Sequence, residues 1–251
     1  MNSKVPDDLS AGAIQEPPAA SEAVVRLEST DGEPLAEWLC TPDRLEALTL
    51  GWLFSEGIVA GTEDISSLGV ESACRVRVRL SELARQRLAS RRTAAGPGPA
   101  PARISAHDPA GPYRPGPALE DLLSDAPRLA ELFRDMFDSA AVRTPGGGGL
   151  HTGALVIDGG IVDVVEDVSR SAIIDKLVGS ALLEDGVPEQ SLFLLSGRIS
   201  ASIAAKLSAA GIAAAATISI PTTLAVEIAG RSGVALVGRS RRDSPYRYGT
   251  G

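Results

Sequence analysis

Hydrophobic and polar positions first fall into register at Ala23. Val25 and Leu27 alternate with Val24, Arg26 and Glu28, and Asp31-Gly32 separates this run from a second one, Leu35 to Leu39. Two-residue periodicity around an Asp-Gly pair predicts a β-hairpin. The period then lengthens. Thr41-Pro42 reads as a helix opening, and Leu45, Leu48, Trp52 and Leu53 recur at helical spacing until Gly57. Val76, Val78 and Leu80 alternate with Arg75, Arg77 and Arg79, which predicts a half-buried strand whose basic side is a solvated face. Residues 81–93 read as helix. From Ala94 to Ala118 seven prolines and several glycines interrupt any regular hydrogen-bonding pattern, so this stretch reads as a linker or loop. Leu122, Leu129, Leu132, Phe133 and Met136 then mark one amphipathic helix over 119–137.

Beyond the run Gly146 to Gly149 the pattern becomes an alternation of strands and helices. Two apolar runs flank Asp158-Gly159-Gly160 as a second hairpin. They are followed by a helix over 171–183, a strand over 192–195, a helix over 199–209, a strand over 212–218, a helix over 222–231 and a strand over 234–237. Such alternation predicts right-handed crossovers and a mostly parallel sheet covered on both faces, an α/β fold. The expected organisation is a disordered tail (1–22), an N-terminal α+β part (23–93), the Pro/Gly-rich loop (94–118) and a C-terminal α/β cofactor-binding domain (119–251).

Composition narrows the functions. The chain has 251 residues, 44% hydrophobic, with 24 Lys and Arg against 32 Asp and Glu, a formal charge of −8. That length buries roughly three quarters of the surface that the unfolded chain exposes, enough for a core without staples. Net acidity argues against a nucleic-acid partner or an anionic membrane, since counterion release requires a concentrated basic face. Lys4, Lys176 and Lys206 are the only lysines. The arginine excess fits either phosphate recognition or a coding bias. Two cysteines, Cys40 and Cys74, make neither a disulfide framework nor a zinc cluster, and no metal site is expected. The first 20 residues lack the apolar stretch of a signal peptide, and no run approaches the ~20 apolar residues of a membrane span. A cytoplasmic location is the expectation.

In an open α/β sheet, ligands bind beyond the carboxyl ends of the strands, against helix N-termini. Three junctions carry hydroxyl or guanidinium groups there: Ser169-Arg170, Ser196-Gly197-Arg198, and Ser219 to Thr223, with Arg239, Arg241 and Arg242 after the last strand. Each alone reads as an ordinary cap. Three at one end of a sheet make a phosphate-bearing ligand a working hypothesis. His151 follows the glycine run and is either a loop histidine or a ligand contact. A separate reading makes His151 an acid/base with Asp175 as its orienter. Zinc-dependent deamination is excluded, because Gly153 takes the place of the required glutamate and no C-x-x-C exists.

The block from Gly148-Gly149-Leu150-His151-Thr152-Gly153 through Glu166-Asp167-Val168-Ser169-Arg170, Ile174-Asp175-Lys176-Leu177-Val178-Gly179, Ser196-Gly197-Arg198 and Pro221-Thr222-Thr223 to Leu236-Val237-Gly238 resembles the formate dehydrogenase accessory protein family FdhD. Thr41-Pro42-Asp43, Leu50-Gly51-Trp52 and Ser55-Glu56-Gly57 resemble its early helix, so the likeness spans most of the chain from residue 23. The resemblance implies a cytidine-deaminase-like, three-layer C-terminal fold, usually dimeric. It also implies a sulfur carrier that takes sulfur from a cysteine desulfurase and passes it to the molybdenum cofactor, bis-molybdopterin guanine dinucleotide, of formate dehydrogenase. The cofactor contacts would fall on Arg239, Ser240, Arg241, Arg242, Asp243 and Ser244, joined by His151, Arg170, Ser196 and Arg198. The chain departs from the family at its sulfur loop. Where the family has C-G-x-C-G, the stretch from Ala94 to Pro99 holds no cysteine, and Ser169, Ser171 and Ala172 replace the usual Gly and His-Asn around Arg170. Cys74 beside Arg75 is expected to enter a strand and Cys40 to pack, both structurally. No catalytic residue is therefore assigned, and a second reading is a cofactor-binding chaperone or regulator without sulfur transfer.

Overall fold

The computed structural model describes residues 19–95, 113–143, 149–241 and 245–248. Most of the expected tail and proline-rich loop lies outside these residues, as do Arg242, Asp243 and Ser244.

The first hairpin forms as expected. β1 (Ala23–Ser29) pairs antiparallel with β2 (Pro34–Cys40). β3 (Ile65–Ser72), which the sequence reading passed over, runs antiparallel to β4 (Arg75–Leu80), and β4 lies parallel to β1, giving the order β2-β1-β4-β3. β3 escaped because none of its eight residues is buried, so it shows no alternation of buried and exposed positions, as befits an edge strand. One face of this sheet is apolar. Val25, Leu27, Val76, Val78 and Leu80 pack on α1 (Leu45–Ser55), while the arginines of β4 line the other face beside Glu28 and Glu71. Helix α1 starts later than expected, after Arg44 in the left-handed region (φ 47°), and Thr41 is not its cap. α2 (Glu82–Ala95) follows β4.

Six strands form the second sheet in the order β10-β9-β8-β7-β5-β6. β5 (His151–Ile157) and β6 (Gly160–Asp167) are joined by Asp158-Gly159, both at positive φ, the two-residue turn whose twist matches a hairpin. β7 (Leu192–Leu195), β8 (Ala214–Thr217) and β9 (Ala235–Gly238) are parallel to one another. The remaining three pairings are antiparallel, including β5 on β7 and the short β10 (Tyr246–Tyr248) on β9. The sheet is therefore mixed, not mostly parallel: hairpins at both ends flank a parallel centre of three strands.

Three layers result, because the central strands are apolar on both faces. Leu155, Phe193, Leu195, Ala215 and Leu236 face α5 (Arg170–Leu183), α6 (Ala201–Ala209) and α7 (Thr223–Ser232). Their neighbours Ala154, Val156, Leu192, Leu194 and Val237 face α3 (Pro117–Ser124) and α4 (Ala126–Arg143). The single helix expected over 119–137 is two, and the loop expected to Ala118 ends at Pro117, which opens α3 as a proline suits a first turn. Asp125 leaves the helical region (ψ 89°), and its carboxylate accepts the amide of Arg128 (2.9 Å), restarting the chain as α4 with Pro127 in the first turn.

The two sheets are joined through α1 and α5, which cross on glycines. A Cβ on Gly51 would lie 1.8 Å from the Asp175 carbonyl oxygen, and one on Gly179 would lie 1.8 Å from that of Ala47. Backbone meets backbone at both points. Two ion pairs flank the crossing: Lys206 with Asp175 (2.6 and 2.8 Å) and Lys176 with Asp167 (2.5 Å), all four buried. Gly51→Ala and Gly179→Ala are each expected to lower the free energy of unfolding by about 3 kcal/mol, read by urea denaturation. A loss under about 1 kcal/mol would mean that the helices separate without cost.

Candidate functional site

Strand directions decide where the site lies. The carboxyl ends of β7, β8 and β9 share one rim because these strands are parallel. β5 runs the other way and pairs Gly153 with Leu195, so it brings its beginning, His151, to that same rim. β6 reverses again and places Asp167 opposite His151, delivering Ser169 and Arg170 beside it. Hydrogen bonds stitch the edge together. The Ser196 hydroxyl accepts the Thr152 amide (2.9 Å), the Thr217 hydroxyl donates to the Gly197 carbonyl (2.6 Å), and the Ser219 carbonyl accepts the Arg239 amide (2.7 Å).

A cleft of about 280 Å³ opens at this rim between the starts of α5 and α6, lined by His151, Ser169, Arg170, Ser171, Ser200 and Ser202. Ser169 caps α5, accepting the Ala172 amide at 3.3 Å, while Ser200 at the head of α6 makes no capping bond and instead pairs with the Ser202 hydroxyl (2.8 Å). Gly197 fits under two of these groups: a Cβ there would stand 2.6 Å from Arg170 Cδ and 3.3 Å from His151 Nδ1. Glycine is what allows the guanidinium stem, the imidazole and the strand end to meet.

The sequence-derived residues divide accordingly. His151 and Arg170 line the cleft. Ser196 supports its floor through Thr152, and Arg198 is exposed in the loop ahead of α6 rather than at its start. Ser240 is fully buried, its amide donating to the Thr217 carbonyl (3.0 Å) and its hydroxyl turned to that of Val237, so it shapes the rim from within. Arg239 holds a left-handed conformation (φ 57°), rare for a residue with a Cβ, and its guanidinium lies 4.9 Å over the Tyr246 ring. Arg241 lies 5.7 Å over Phe137. Ser200 and Ser202 were missed by the sequence reading. Their spacing at a helix start was the available signal.

Asp175 does not orient His151. Its carboxylate is held by Lys206 on α6, and the acid that acts on the imidazole is Asp167. Burial, then the Arg170 charge, push the His151 pKa below its ordinary 6.5, against the opposing pull of Asp167. The ring is thus neutral at pH 7, presenting one donor and one acceptor. Neither cysteine joins the cleft lining. Cys40 is buried, and desolvation together with the Asp167 charge push its thiol to about 11. Cys74 is exposed in the turn between β3 and β4 and not in a strand, where its carbonyl accepts the Arg26 amide. Among the described residues no cluster of His, Cys, Asp and Glu is arranged to hold a metal, and no helix is long and apolar enough to cross a membrane.

Comparison with known proteins gives one consistent answer. The model of the FdhD/NarQ family matches residues 20–250. A sulfur carrier protein FdhD of Streptomyces coelicolor is 34% identical, over 94% of this chain and 89% of its own length. Its counterpart in Chromobacterium violaceum is 35% identical over 85% and 82%. A crystal structure assigned as a formate dehydrogenase accessory protein from Desulfotalea psychrophila shares the fold, with a TM-score of 0.70 at 22% identity, covering 91% of this chain and 87% of its own.

The depressed His151 pKa sets a pH dependence. Because the folded ring binds its proton more weakly than the unfolded one, its contribution to stability is lost as pH falls below 6.5 towards the folded pKa. In an NMR titration the ring is expected to titrate below 6.5, and His151→Gln is expected to flatten the fall of stability in that window. A midpoint at or above 6.5 would contradict the environment described.

Proposed function

The chain belongs to the FdhD/NarQ family, and from that premise we propose that it serves a formate dehydrogenase as an accessory protein whose rim cleft holds the phosphate-rich molybdopterin guanine dinucleotide cofactor. The observation that carries this reading is the meeting of His151, Arg170 and four serine hydroxyls at the heads of two helices. Helix N-termini and a guanidinium favour anionic oxygens, and serine hydroxyls donate to them. The fit is to the phosphates of the client.

In this role Arg170 clamps phosphate oxygens and the cleft serines complete the donor set. His151, neutral at pH 7, donates one N–H and gains a proton more readily once an anion is seated. Arg239, fixed by its left-handed backbone and by Tyr246, stands at the carboxyl end of β9 as a second cation for the same client. The cofactor supplies the redox chemistry of the dehydrogenase; this chain binds and presents it. The cell compartment is the cytoplasm, where both cysteines stay reduced, and the acting form is a homodimer.

Relatives named sulfur carriers point to sulfur transfer as part of the role. In that step a cysteine desulfurase persulfide is attacked by a thiolate of this chain, the terminal sulfur passes across, and the desulfurase leaves as thiolate. Cys40 is unsuited, since a thiol near pKa 11 is about one part in 10⁴ thiolate at pH 7. Cys74 is exposed. A second reading is favoured by one specific observation, the lack of any cysteine from Ala94 to Pro99: a cofactor-binding chaperone or regulator that transfers no sulfur.

Two measurements test these statements. Guanosine diphosphate is expected to bind in the millimolar range or tighter by calorimetry, and Arg170→Ala to weaken it about tenfold; no heat at millimolar nucleotide would sink the cofactor reading. Intact mass after incubation with a desulfurase and cysteine separates the two versions. A sulfur adduct lost in Cys74→Ala supports sulfur carriage, whereas no adduct on a protein that binds nucleotide supports the second reading.

A further inference from the structure

The segment that presents Ser169 and Arg170 to the cleft is held from behind by groups that the proposed binding does not touch. Lys176, on α5 and fully buried, directs its ammonium at Asp167 (2.5 Å), at the Thr41 carbonyl (2.9 Å) and at the Asp43 carboxylate. The second oxygen of Asp167 accepts the Ser169 amide (2.7 Å) and the Thr41 amide (3.2 Å). Thr41 closes the circuit with its hydroxyl, which accepts the Val168 amide (3.4 Å). One buried carboxylate therefore fixes both the turn that leads into Arg170 and the end of β2.

A buried pair of opposite charges is a poor way to add stability, because an apolar pair of the same volume avoids the desolvation of both ions. What the pair does that two leucines cannot is offer directed lone pairs to two backbone amides of different segments. Without the ammonium, Asp167 would be a buried carboxylate facing only amides, and it would turn towards water, releasing Ser169. Arg170 follows immediately in the chain, and its stem lies against Gly197.

We propose that Lys176 is a positioning residue for the anion cleft, acting through Asp167 to hold Ser169 and Arg170 in the binding geometry and to tie that geometry to the loop Thr41–Arg44 of the N-terminal part. The loop is latched to the same hairpin a second time, by Arg44 on Asp163 (2.6 and 3.1 Å) and on the Val164 carbonyl. Asp43, whose side chain is 56% exposed, is the surface end of the circuit.

The inference rests on the cleft being an anion site, and its test separates the two. Lys176→Met is expected to bind guanosine diphosphate at least fivefold more weakly than the parent, and to lose little further affinity when combined with Arg170→Ala, since the effect passes through Arg170. The Ser169 amide is expected to exchange with deuterium at least tenfold faster in Lys176→Met, with core amides of β7 and β8 unchanged. Asp43→Asn, a substitution at an exposed carboxylate, is expected to move both readouts in the same direction by a smaller factor, and it decides the matter if Lys176→Met does not fold. Unchanged Ser169 exchange in the folded variants would overturn the proposal, as would an affinity loss of equal size with and without Arg170. If the parent binds no nucleotide, the cofactor reading fails, and the exchange of Ser169 still decides what Lys176 does.

Discussion

Everything in this molecule is arranged around a helix crossing that admits no side chain. Gly51 and Gly179 let α1 and α5 approach until each touches the other's carbonyl oxygens, and α1 can then be buried on two sides. One side carries the four-stranded sheet; the other reaches the layer that covers the six-stranded sheet. A larger residue at either position would push the helices apart by more than a rotamer change could absorb. The two halves are thus fitted at van der Waals precision, and the polar contacts beside the crossing can be short and directional.

Those contacts also decide which charges face solvent near the rim. Two of the three lysines, Lys176 and Lys206, are buried at the crossing, each facing an aspartate on β6 or α5. They do not contribute to the surface charge. The groups that face solvent at the rim are instead arginines, serines and a neutral histidine, so a chain of net charge −8 still presents a local site suited to an anion. Among the described residues no Asp or Glu lines the cleft. Net charge speaks to bulk behaviour, whereas a cleft responds to the few groups within a screening length.

Both cysteines lie outside the cleft lining. Membership follows from the whole chain, over residues 20–250, and the cleft is built from the same segments that carry it. Sulfur chemistry depends on a single accessible thiolate. Burial and a neighbouring carboxylate disqualify Cys40, and Cys74 sits on the four-stranded sheet, in a turn beside β1. The cleft lining and the two cysteines are therefore separable by residue.

Local pattern was enough for most elements. The apolar four-residue strands β7, β8 and β9, the Asp158-Gly159 turn, the Ser169 and Thr222 caps and the alternation in β4 all follow from interactions between residues a few positions apart, which the sequence displays directly. The His151 and Arg170 candidates were legible for the same reason, as hydroxyl, glycine and cation clusters at element ends. Local pattern failed where distant partners decide. Thr41 looks like a cap but spends its amide, hydroxyl and carbonyl on Asp167, Val168 and Lys176, about 130 positions away, so α1 starts only at Leu45. Asp175 looks like a partner for His151, yet α5 turns it to Lys206. The edge strands β3 and β10 lack the double-sided burial that makes a strand visible, and the direction of β5, which brings His151 to the rim, depends on its pairing with β7. The sequence alone determined periodicity, caps and turns, because these are set by neighbours along the chain. Which charge faces which, and which strand ends share a rim, only the tertiary structure decided, because long-range pairing energies leave no periodic trace in the order of residues.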